Sequence, residues 1–362
     1  MQLELALVAA GALIALPLTF LLRLRTKPGR RPEHQHIPRI GGFSILAAFI
    51  LAPFVVAIFI EDARTFIRED WQAFLALALC GGAVFAVGAV DDFRDLGWRI
   101  RLGVQVAAGV GLYAAGFRVG EMTLPAGGTV DLGLLDPLIT IGWLVFITNA
   151  LNLVDGRDGV AAGIAALVAG TMAFIAWDLG HELIAMLFAA LAGASLGFIP
   201  ANFPPARRFL GDGGAYFLGF TIGGLCIAGF VDSTGRVPLY IAPVALGLPV
   251  LDTLVAFLRR FLDGRHPFEA DRDHLHDRME RLYRMRPVAV TLTTYAITAV
   301  FCGAALLLHA WYKNAGSAVV GAAVLAFAVV IVVALGYVHT MWNSNRVRVL
   351  RGRGQPAEES VG

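Results

Sequence analysis

Apolar runs of about twenty residues recur along the whole chain, and they restrict the possible fold more than any other feature. A helix needs about 20 mostly apolar residues to cross a bilayer, and its backbone polar groups must be satisfied within the segment. The runs lie at residues 3–22, 43–60, 72–90, 100–117, 134–151, 159–177, 182–200, 214–231, 239–258, 288–310 and 316–339. We therefore predict an all-α, polytopic integral membrane protein with about eleven transmembrane helices.

The composition excludes an ordinary soluble domain. Of the 362 residues, 57% are hydrophobic and only 15% are charged, whereas soluble domains carry about 25% charged residues. We predict one transmembrane domain over residues 1–340 and a basic, then polar, disordered cytoplasmic tail over residues 341–362. The three cysteines lie inside apolar runs, which predicts small buried hydrophobes rather than a disulfide framework or a metal site.

The distribution of Lys and Arg predicts the orientation of the chain. If the N-terminus is outside, the six cytoplasmic loops carry all but five of the 29 Lys and Arg residues. Loops on the cytoplasmic side are enriched in positive charge. We therefore predict an N-terminus outside and a C-terminus in the cytoplasm.

Four polar segments interrupt the apolar pattern, and all four fall on the predicted cytoplasmic side. The first is VDDFRDL, which places Asp91 and Asp92 side by side at the end of the third run. Adjacent carboxylates repel unless a cation or a proton lies between them, so the pair indicates a divalent ion or a general base. A solvated helix end with an Asp–Arg pair is the alternative.

The second segment, NALNLVDGRDG, spaces four polar side chains by three residues: Asn149, Asn152, Asp155 and Asp158. On a helix they would share one face. Such a face at the edge of a span is costly unless it meets water or a ligand. A polar turn capped by Asx side chains is the alternative, but it explains one aspartate better than it explains all four residues.

The third segment begins at Asn202 and ends with Asp212 between Gly211 and Gly213, just before the eighth run. A helix N-terminus favours phosphate through its unpaired N–H groups and its dipole. Asp212 could hold Mg²⁺ against such a phosphate. A simple N-cap aspartate is the alternative.

The fourth segment is the longest predicted cytoplasmic loop, residues 259–287, with the core RHPFEADRDHLHDR. If the segment is extended, His274 and His276 lie on one side, where Arg272 and Arg278 would join them. A row of two histidines and two arginines suits the binding of a nucleoside diphosphate. A zinc site lacks a well-spaced third ligand, and a solvated charged loop is the remaining alternative.

Together with IPRIGG in the basic loop 23–42, these motifs resemble those of the polyprenyl-phosphate N-acetylhexosamine-1-phosphate transferase superfamily, glycosyltransferase family 4 of bacterial cell-envelope synthesis. The resemblance covers about residues 23–280, and the five motifs occur in the family order. The loop core PFEADRDHLH is most similar to the undecaprenyl-phosphate N-acetylglucosamine-1-phosphate transferase branch. The muramoyl-pentapeptide branch instead shows three consecutive histidines and TPTMGG.

The resemblance implies a catalytic transmembrane domain that performs the first membrane step of cell-envelope glycan synthesis. It would transfer N-acetylhexosamine-1-phosphate, in this branch N-acetylglucosamine-1-phosphate, from a UDP-sugar to undecaprenyl or another polyprenyl phosphate, and UMP would leave. Mg²⁺, or Mn²⁺ in its place, would be required. The enzyme would lie in the bacterial inner (plasma) membrane with its active site facing the cytoplasm. It would need no nucleic acid and is compatible with a homodimer.

The motifs also carry over the family's functional residues to positions in this sequence. The candidate catalytic residues are Asp91, Asp92, Asp155, Asp158, His274 and His276. The candidate substrate-binding residues are Asn152, Asn202, Arg272, Arg278, Gly211 and Gly213. The candidate Mg²⁺ ligands are Asp212 and Asp92.

Three departures from the branch pattern leave the donor sugar open. His266, Asp277 and Arg157 stand where Ser, His and an aliphatic residue are usual. A phospho-N-acetylmuramoyl-pentapeptide transferase therefore stays an alternative.

Two further classes fit the sequence less well. An ion-coupled transporter predicts mid-span polar groups and inverted repeats, which the sequence does not show. A CDP-alcohol phosphotransferase needs further spaced aspartates on the next helix, but the next acidic residue after Asp158 is Asp178.

Overall fold

A computed structural model describes residues 2–21, 37–69, 71–123, 129–228, 241–262 and 274–315. The helices in these ranges are α1 (Gln2–Leu21), α2 (Gly41–Phe59), α3 (Glu61–Glu69), α4 (Trp71–Phe93), α5 (Trp98–Ala114), α6 (Asp136–Val154), α7 (Val160–Asp178), α8 (Glu182–Asn202), α9 (Gly211–Ala228), α10 (Ile241–Ala245), α11 (Gly247–Leu262), α12 (Leu275–Tyr283) and α13 (Pro287–Ala315). A small antiparallel hairpin, β1 (Glu121–Thr123) and β2 (Thr129–Asp131), and a 3₁₀ turn (Gly133–Leu135) precede α6.

The all-α, polytopic class is confirmed. Seven helices in the described ranges are long and apolar enough to cross a membrane, namely α1, α2, α4, α6 with its 3₁₀ turn, α7, α8 and α13. The predicted number of about eleven is not confirmed. The predicted spans 100–117 and 214–231 correspond to α5 and α9, which have 17 and 18 residues. The run 316–339 and the predicted tail 341–362 lie outside the described residues.

The predicted span 239–258 is divided between α10 and α11. Pro249 lies in the first turn of α11, where its missing N–H and its ring prevent a continuous helix through the preceding residues. Gly247 marks a close approach at the same place, because a Cβ there would lie 2.3 Å from the ring of Phe301 on α13. A hydropathy run alone does not reveal such a break.

Helix ends meet at one end of the bundle, which we call the carboxylate end. There the N–H of Gly41 donates to the carbonyl of Phe209 at 2.9 Å, which joins the start of α2 to the loop before α9. The N–H of Gly159 donates to Oδ1 of Asn202 at 3.0 Å, which joins the start of α7 to the end of α8. The hairpin lies at the opposite end, where the N–H of Gly120 donates to Asp136 at the start of α6 at 2.8 Å.

Glycines bring α2, α4 and α9 into main-chain contact near the carboxylate end. A Cβ on Gly42 would lie 2.4 Å from Cα of Gly214, and a Cβ on Gly88 would lie 2.6 Å from Cα of Gly213. Small residues at such interfaces let membrane helices approach closely. This packing places the end of α4 directly beside the start of α9.

That the three cysteines are lipid-buried small hydrophobes stays a prediction. Cys226 and Cys302 are buried, Cys80 is half-buried, and all three are free thiols.

Candidate active site

Two carboxylates from distant parts of the chain meet where α4 ends and α9 begins. Asp92 is 3% exposed, and its Oδ2 accepts a hydrogen bond from the N–H of Gly213 at 3.3 Å. Nη1 of Arg39, from the IPRIGG motif, lies 3.9 Å from Oδ1 of Asp92. Asp212 accepts a hydrogen bond from Nδ2 of Asn152 at 3.0 Å. Four of the sequence motifs therefore converge at this point.

Gly211 gives α9 its start beside Asp92. Its φ of +79° lies in the left-handed region that favours glycine, and a Cβ there would lie 2.5 Å from Oδ2 of Asp92. Asp212 then lies within the first turn of α9 rather than ahead of the helix. Its carboxylate hydrogen bonds with the side chain of Asn152, so a pure N-cap role does not describe its surroundings.

The two adjacent aspartates of VDDFRDL have different surroundings. Asp91 accepts hydrogen bonds from the N–H of Leu96 at 2.7 Å and from Nη1 of Arg101 at 2.9 Å. The same nitrogen of Arg101 lies 3.3 Å from the hydroxyl of Tyr216. Asp91 thus pairs with an arginine outside its own motif, and both Asp91 and Asp92 lie beside Asp212.

Asp155 completes what we call the acidic cluster, Asp92, Asp155 and Asp212. It is half-buried and lies just beyond the end of α6. Burial raises the pKa of its carboxyl well above the usual range, and the nearby charges of Asp212 and Asp92 raise this pKa further.

Asp158 and Asn202 join loops at the edge of the cluster. Oδ2 of Asp158 accepts from the N–H of Ala206 at 3.0 Å, and Nδ2 of Asn202 donates to the carbonyl of Arg208 at 2.8 Å. These bonds, with the bond from Gly159 to Asn202, hold the α6–α7 turn against the loop after α8. A catalytic role for Asp158 and a substrate-binding role for Asn202 stay predictions.

The predicted extended segment around the histidines is wrong, because helix α12 begins at Leu275. His274 precedes the helix with extended backbone, and His276 lies in its first turn. Their rings nevertheless stack, with centroids 5.8 Å apart and 10° between the planes. The non-helical backbone at His274 turns the two side chains to the same side, which a continuous helix would not do.

Each histidine has a specific neighbour. Nδ1 of His274 lies 2.7 Å from Oδ2 of Asp252, and the other oxygen of Asp252 accepts from the N–H of Leu275 at 2.9 Å. His276 packs on Gly156, where a Cβ would lie 2.3 Å from its Nε2. Burial lowers the pKa of His276. Arg278 is also buried, whereas Arg272 and His266 lie outside the described residues.

Comparison with known proteins places the chain in a family. The profile of glycosyl transferase family 4 matches residues 74–230. The chain is 31% identical over 284 residues to the probable undecaprenyl-phosphate N-acetylglucosaminyl 1-phosphate transferase of Bacillus subtilis, which covers 78% of this chain and 76% of the relative. The chain belongs to glycosyl transferase family 4.

Other members are similar over comparable lengths. The decaprenyl-phosphate N-acetylglucosaminephosphotransferase of Mycolicibacterium smegmatis is 30% identical over 77% of this chain and 74% of its own length. The undecaprenyl-phosphate alpha-N-acetylglucosaminyl 1-phosphate transferase of Escherichia coli is 27% identical over 75% of this chain and 72% of its own length. The resemblance drawn from the five motifs is thereby confirmed, and so is the transferase class.

The donor atoms of this transferase suit Mg²⁺. Among the described residues, no three His, Cys, Asp or Glu side chains are arranged to hold one ion together. Mg²⁺ needs only one or two carboxylates, because it takes further ligands from water and substrate phosphates. Oδ1 of Asp92 is buried without a hydrogen-bond partner within the described ranges, and Asp212 lies close by. Two carboxylates that offer only oxygen donors therefore fit Mg²⁺.

The sequence motifs did not predict three charged residues at the carboxylate end as site residues. Arg39 and Arg101 neutralise Asp92 and Asp91, and Asp252 holds His274. Asp252 carried a usable signal, because a carboxylate inside the apolar run 239–258 is costly unless it has a function or a partner. Arg39 belongs to the IPRIGG motif, whereas nothing in the sequence except its charge indicates that Arg101 is a site residue.

Proposed function

We propose that this family 4 transferase moves N-acetylglucosamine-1-phosphate, or a close N-acetylhexosamine-1-phosphate, from a UDP-sugar to undecaprenyl or another polyprenyl phosphate and releases UMP. The observation that carries the proposal is the hydrogen bond from Asn152 to Asp212 beside Asp92, because it joins three separate motifs into one acidic cluster at helix ends. The relatives from B. subtilis and M. smegmatis are named as N-acetylglucosamine-1-phosphate transferases that use polyprenyl phosphates, which supports the lipid acceptor and the transferred sugar phosphate.

The acceptor phosphate needs little activation. A phosphomonoester has a second pKa of about 6, so most of the lipid phosphate is a dianion near neutral pH. The larger problem is to bring this anion, the donor diphosphate and the carboxylates together. Positioning and electrostatic stabilisation therefore supply most of the rate acceleration.

The residues divide this task between them. Asp212 and Asp92 would hold Mg²⁺, which supplies positive charge to the donor diphosphate when bound. Arg39 and Arg101 lie beside the two aspartates of α4 and reduce the negative potential that the acceptor phosphate meets. Asp155, whose pKa burial raises, is the carboxyl of the acidic cluster best suited to take the residual proton of an acceptor monoanion.

The histidines serve the donor side of the site. His274 and His276 present stacked rings next to the α6–α7 turn, and Arg278 adds positive charge from the same helix. These groups bind the donor diphosphate and stabilise the charge on the departing UMP. The Asp-Arg-Asp-His-Leu-His sequence favours a simple UDP-N-acetylhexosamine over the muramoyl-pentapeptide donor.

The deciding experiment tests purified protein with undecaprenyl phosphate and Mg²⁺ against a panel of UDP-sugars. UMP release and the mass of the lipid product are measured, and reactions without lipid serve as the control. We expect lipid-dependent UMP release with UDP-N-acetylglucosamine. Turnover of the pentapeptide donor alone would overturn the donor assignment, and no lipid-dependent UMP from any donor would overturn the proposed reaction.

The active site would face the cytoplasm of a bacterium. Leu134, at the hairpin end, is 97% exposed, and Arg94, at the carboxylate end, is also exposed. In a background without the native cysteines, Leu134→Cys should react with a membrane-impermeant thiol reagent in intact cells. Arg94→Cys should react only after the membrane is opened. Labelling of Arg94→Cys in intact cells would reverse the proposed orientation.

A further inference from the structure

An ion-paired group links the α6–α7 turn to helix α12. Nη2 of Arg157 lies 2.7 Å from Oδ1 of Asp277 and 2.5 Å from Oε2 of Glu280. Asp277 and Glu280 are three residues apart on α12, so they share one face of that helix. We call Arg157, Asp277 and Glu280 the Arg157 tether.

The tether lies next to residues of the candidate active site. Gly156, which precedes Arg157, packs against His276, which precedes Asp277. Two successive residues of the turn therefore contact two successive residues of α12. On its other side, the start of α12 is held by Asp252 through His274 and the N–H of Leu275. Helix α12 is thus attached to α11 at one point and to the α6–α7 turn at another.

The tether is more than a solvated surface pair. The side chain of Arg157 is 15% exposed, and its Nε is buried without a hydrogen-bond partner within the described ranges. The two partners lie 120 residues from Arg157 or further, so the contact fixes tertiary structure rather than one helix. Removal of one member of a partly buried pair leaves the other charge desolvated and unpaired.

We propose that Arg157 is a positioning residue, which holds α12 against the α6–α7 turn through Asp277 and Glu280 and so sets His276 at the donor side of the acidic cluster. The inference rests on the proposed function, because it takes the donor diphosphate as the ligand of the histidines. Asp92 and Asp212 of the acidic cluster lie on α4 and α9, which carry no member of the tether, so we expect the tether to act on donor binding through His276.

The first test is kinetic. Arg157→Gln should raise the KM for the UDP-sugar by about 10- to 100-fold, because the loss of one charge-assisted contact between His276 and the donor diphosphate corresponds to a change of that size. The KM for the lipid phosphate and kcat should change little. Charge reversal with Arg157→Asp or Asp277→Arg alone should be at least as harmful. In the combined variant, the arginine introduced by Asp277→Arg lies next to the aspartate introduced by Arg157→Asp and next to Glu280. This variant should therefore recover most of the donor affinity.

A matched control breaks an ion pair of the same length elsewhere. Glu61→Gln removes the 2.7 Å contact with Arg64 on the short helix α3 and should leave the donor KM unchanged. If Arg157→Gln left the donor KM unchanged in an active enzyme, the proposal would be wrong. Equal losses in both KM values and in kcat, without recovery in the combined reversal, would reduce the tether to a general contribution to stability.

The second test does not depend on turnover. Hydrogen–deuterium exchange of wild type and Arg157→Gln should show faster exchange in residues 275–283 and unchanged exchange in residues 211–228. Unchanged exchange in α12 would overturn the tether whether or not the enzyme is active. An inactive wild type with the expected change in exchange would instead overturn the proposed function and retain the tether.

Discussion

The side-chain amide of Asn152 donates a hydrogen bond to Oδ1 of Asp212, 60 residues further along the chain, at 3.0 Å. The contact turns one oxygen of Asp212 toward α6, and it accounts for the amide at the second position of the three-residue pattern in NALNLVDGRDG. It also makes a substitution at Asp212 easy to interpret, because asparagine keeps an oxygen that accepts this hydrogen bond.

Asp212→Asn should abolish most activity without unfolding the protein. A neutral amide oxygen binds a hard divalent cation far less well than a carboxylate does. Loss of one such electrostatic contact typically lowers the rate by about 10²–10³-fold. Turnover across a Mg²⁺ and a Mn²⁺ titration, with thermal unfolding in parallel, measures both effects. Near-normal turnover at ordinary Mg²⁺ would rule out the metal role and leave only the hydrogen bond with Asn152, which asparagine can also accept.

Gly211→Ala should destabilise the carboxylate end and reduce turnover. The left-handed backbone at φ +79° costs an alanine about 1–2 kcal/mol, and the contact with Asp92 adds about 1–3 kcal/mol of overpacking. Thermal unfolding and turnover measure the change. Gly97→Ala is the matched control, because its φ is −61° and no atom lies within 4 Å of its Cβ position. Equal effects of the two variants would contradict the prediction.

Asp252→Asn should lower kcat/KM for the donor by roughly 10- to 100-fold. Asp252 accepts from both His274 and the N–H of Leu275, and an amide supplies only one of these acceptors. Hydrogen bonds to charged groups are worth about 1.5–3 kcal/mol. Asp178→Asn is the control, because it removes the negative charge from a second His–Asp contact of 2.7 Å, with His309, at the opposite end of α7. A comparable loss in that control would point to a general loss of stability.

Asp155→Asn should stabilise the protein more at pH 8 than at pH 5 while it lowers turnover. Burial and the nearby carboxylates raise the pKa of Asp155, so the folded protein binds this proton more tightly than the unfolded chain. The stability from that proton is present at low pH and is lost as the pH rises through the raised pKa. Asparagine removes this pH-dependent penalty.

Unfolding temperatures at the two pH values, in a chelator that removes divalent cations, measure this effect. Asp62→Asn, an exposed change on α3, serves as the control. A lower unfolding temperature for Asp155→Asn than for wild type at pH 8 would contradict the stated origin of the pKa shift.

Much of the site could be predicted because its signals are local. The three-residue spacing of Asn152 and Asp155 and the glycines around Asp212 lie within short segments, and the chain brings these segments together. The pairing of Asp91 with Arg101 was harder to predict, because the two residues are ten positions apart and lie on different helices. The role of Asp252 depended on a histidine 22 residues further on.

The course of the chain around His274 could not be predicted from alternation. Three residues, His-Leu-His, fit an extended strand equally well as they fit a helix start, and the helix is favoured only when Leu275–Tyr283 is taken as an amphipathic unit. The division of the predicted span 239–258 into two helices could not be predicted for a related reason. Hydropathy averages over a window and does not register where Pro249 ends helical continuity.

The main-chain contact between α4 and α9 has a consequence for how this chain can diverge in evolution. Because Gly88 and Gly213 leave no side chain between the two backbones, the distance between the helices that carry Asp92 and Asp212 does not depend on the volume of any residue that faces lipid. Substitutions can therefore accumulate on the outer surface of the bundle while the spacing of the two carboxylates stays constant.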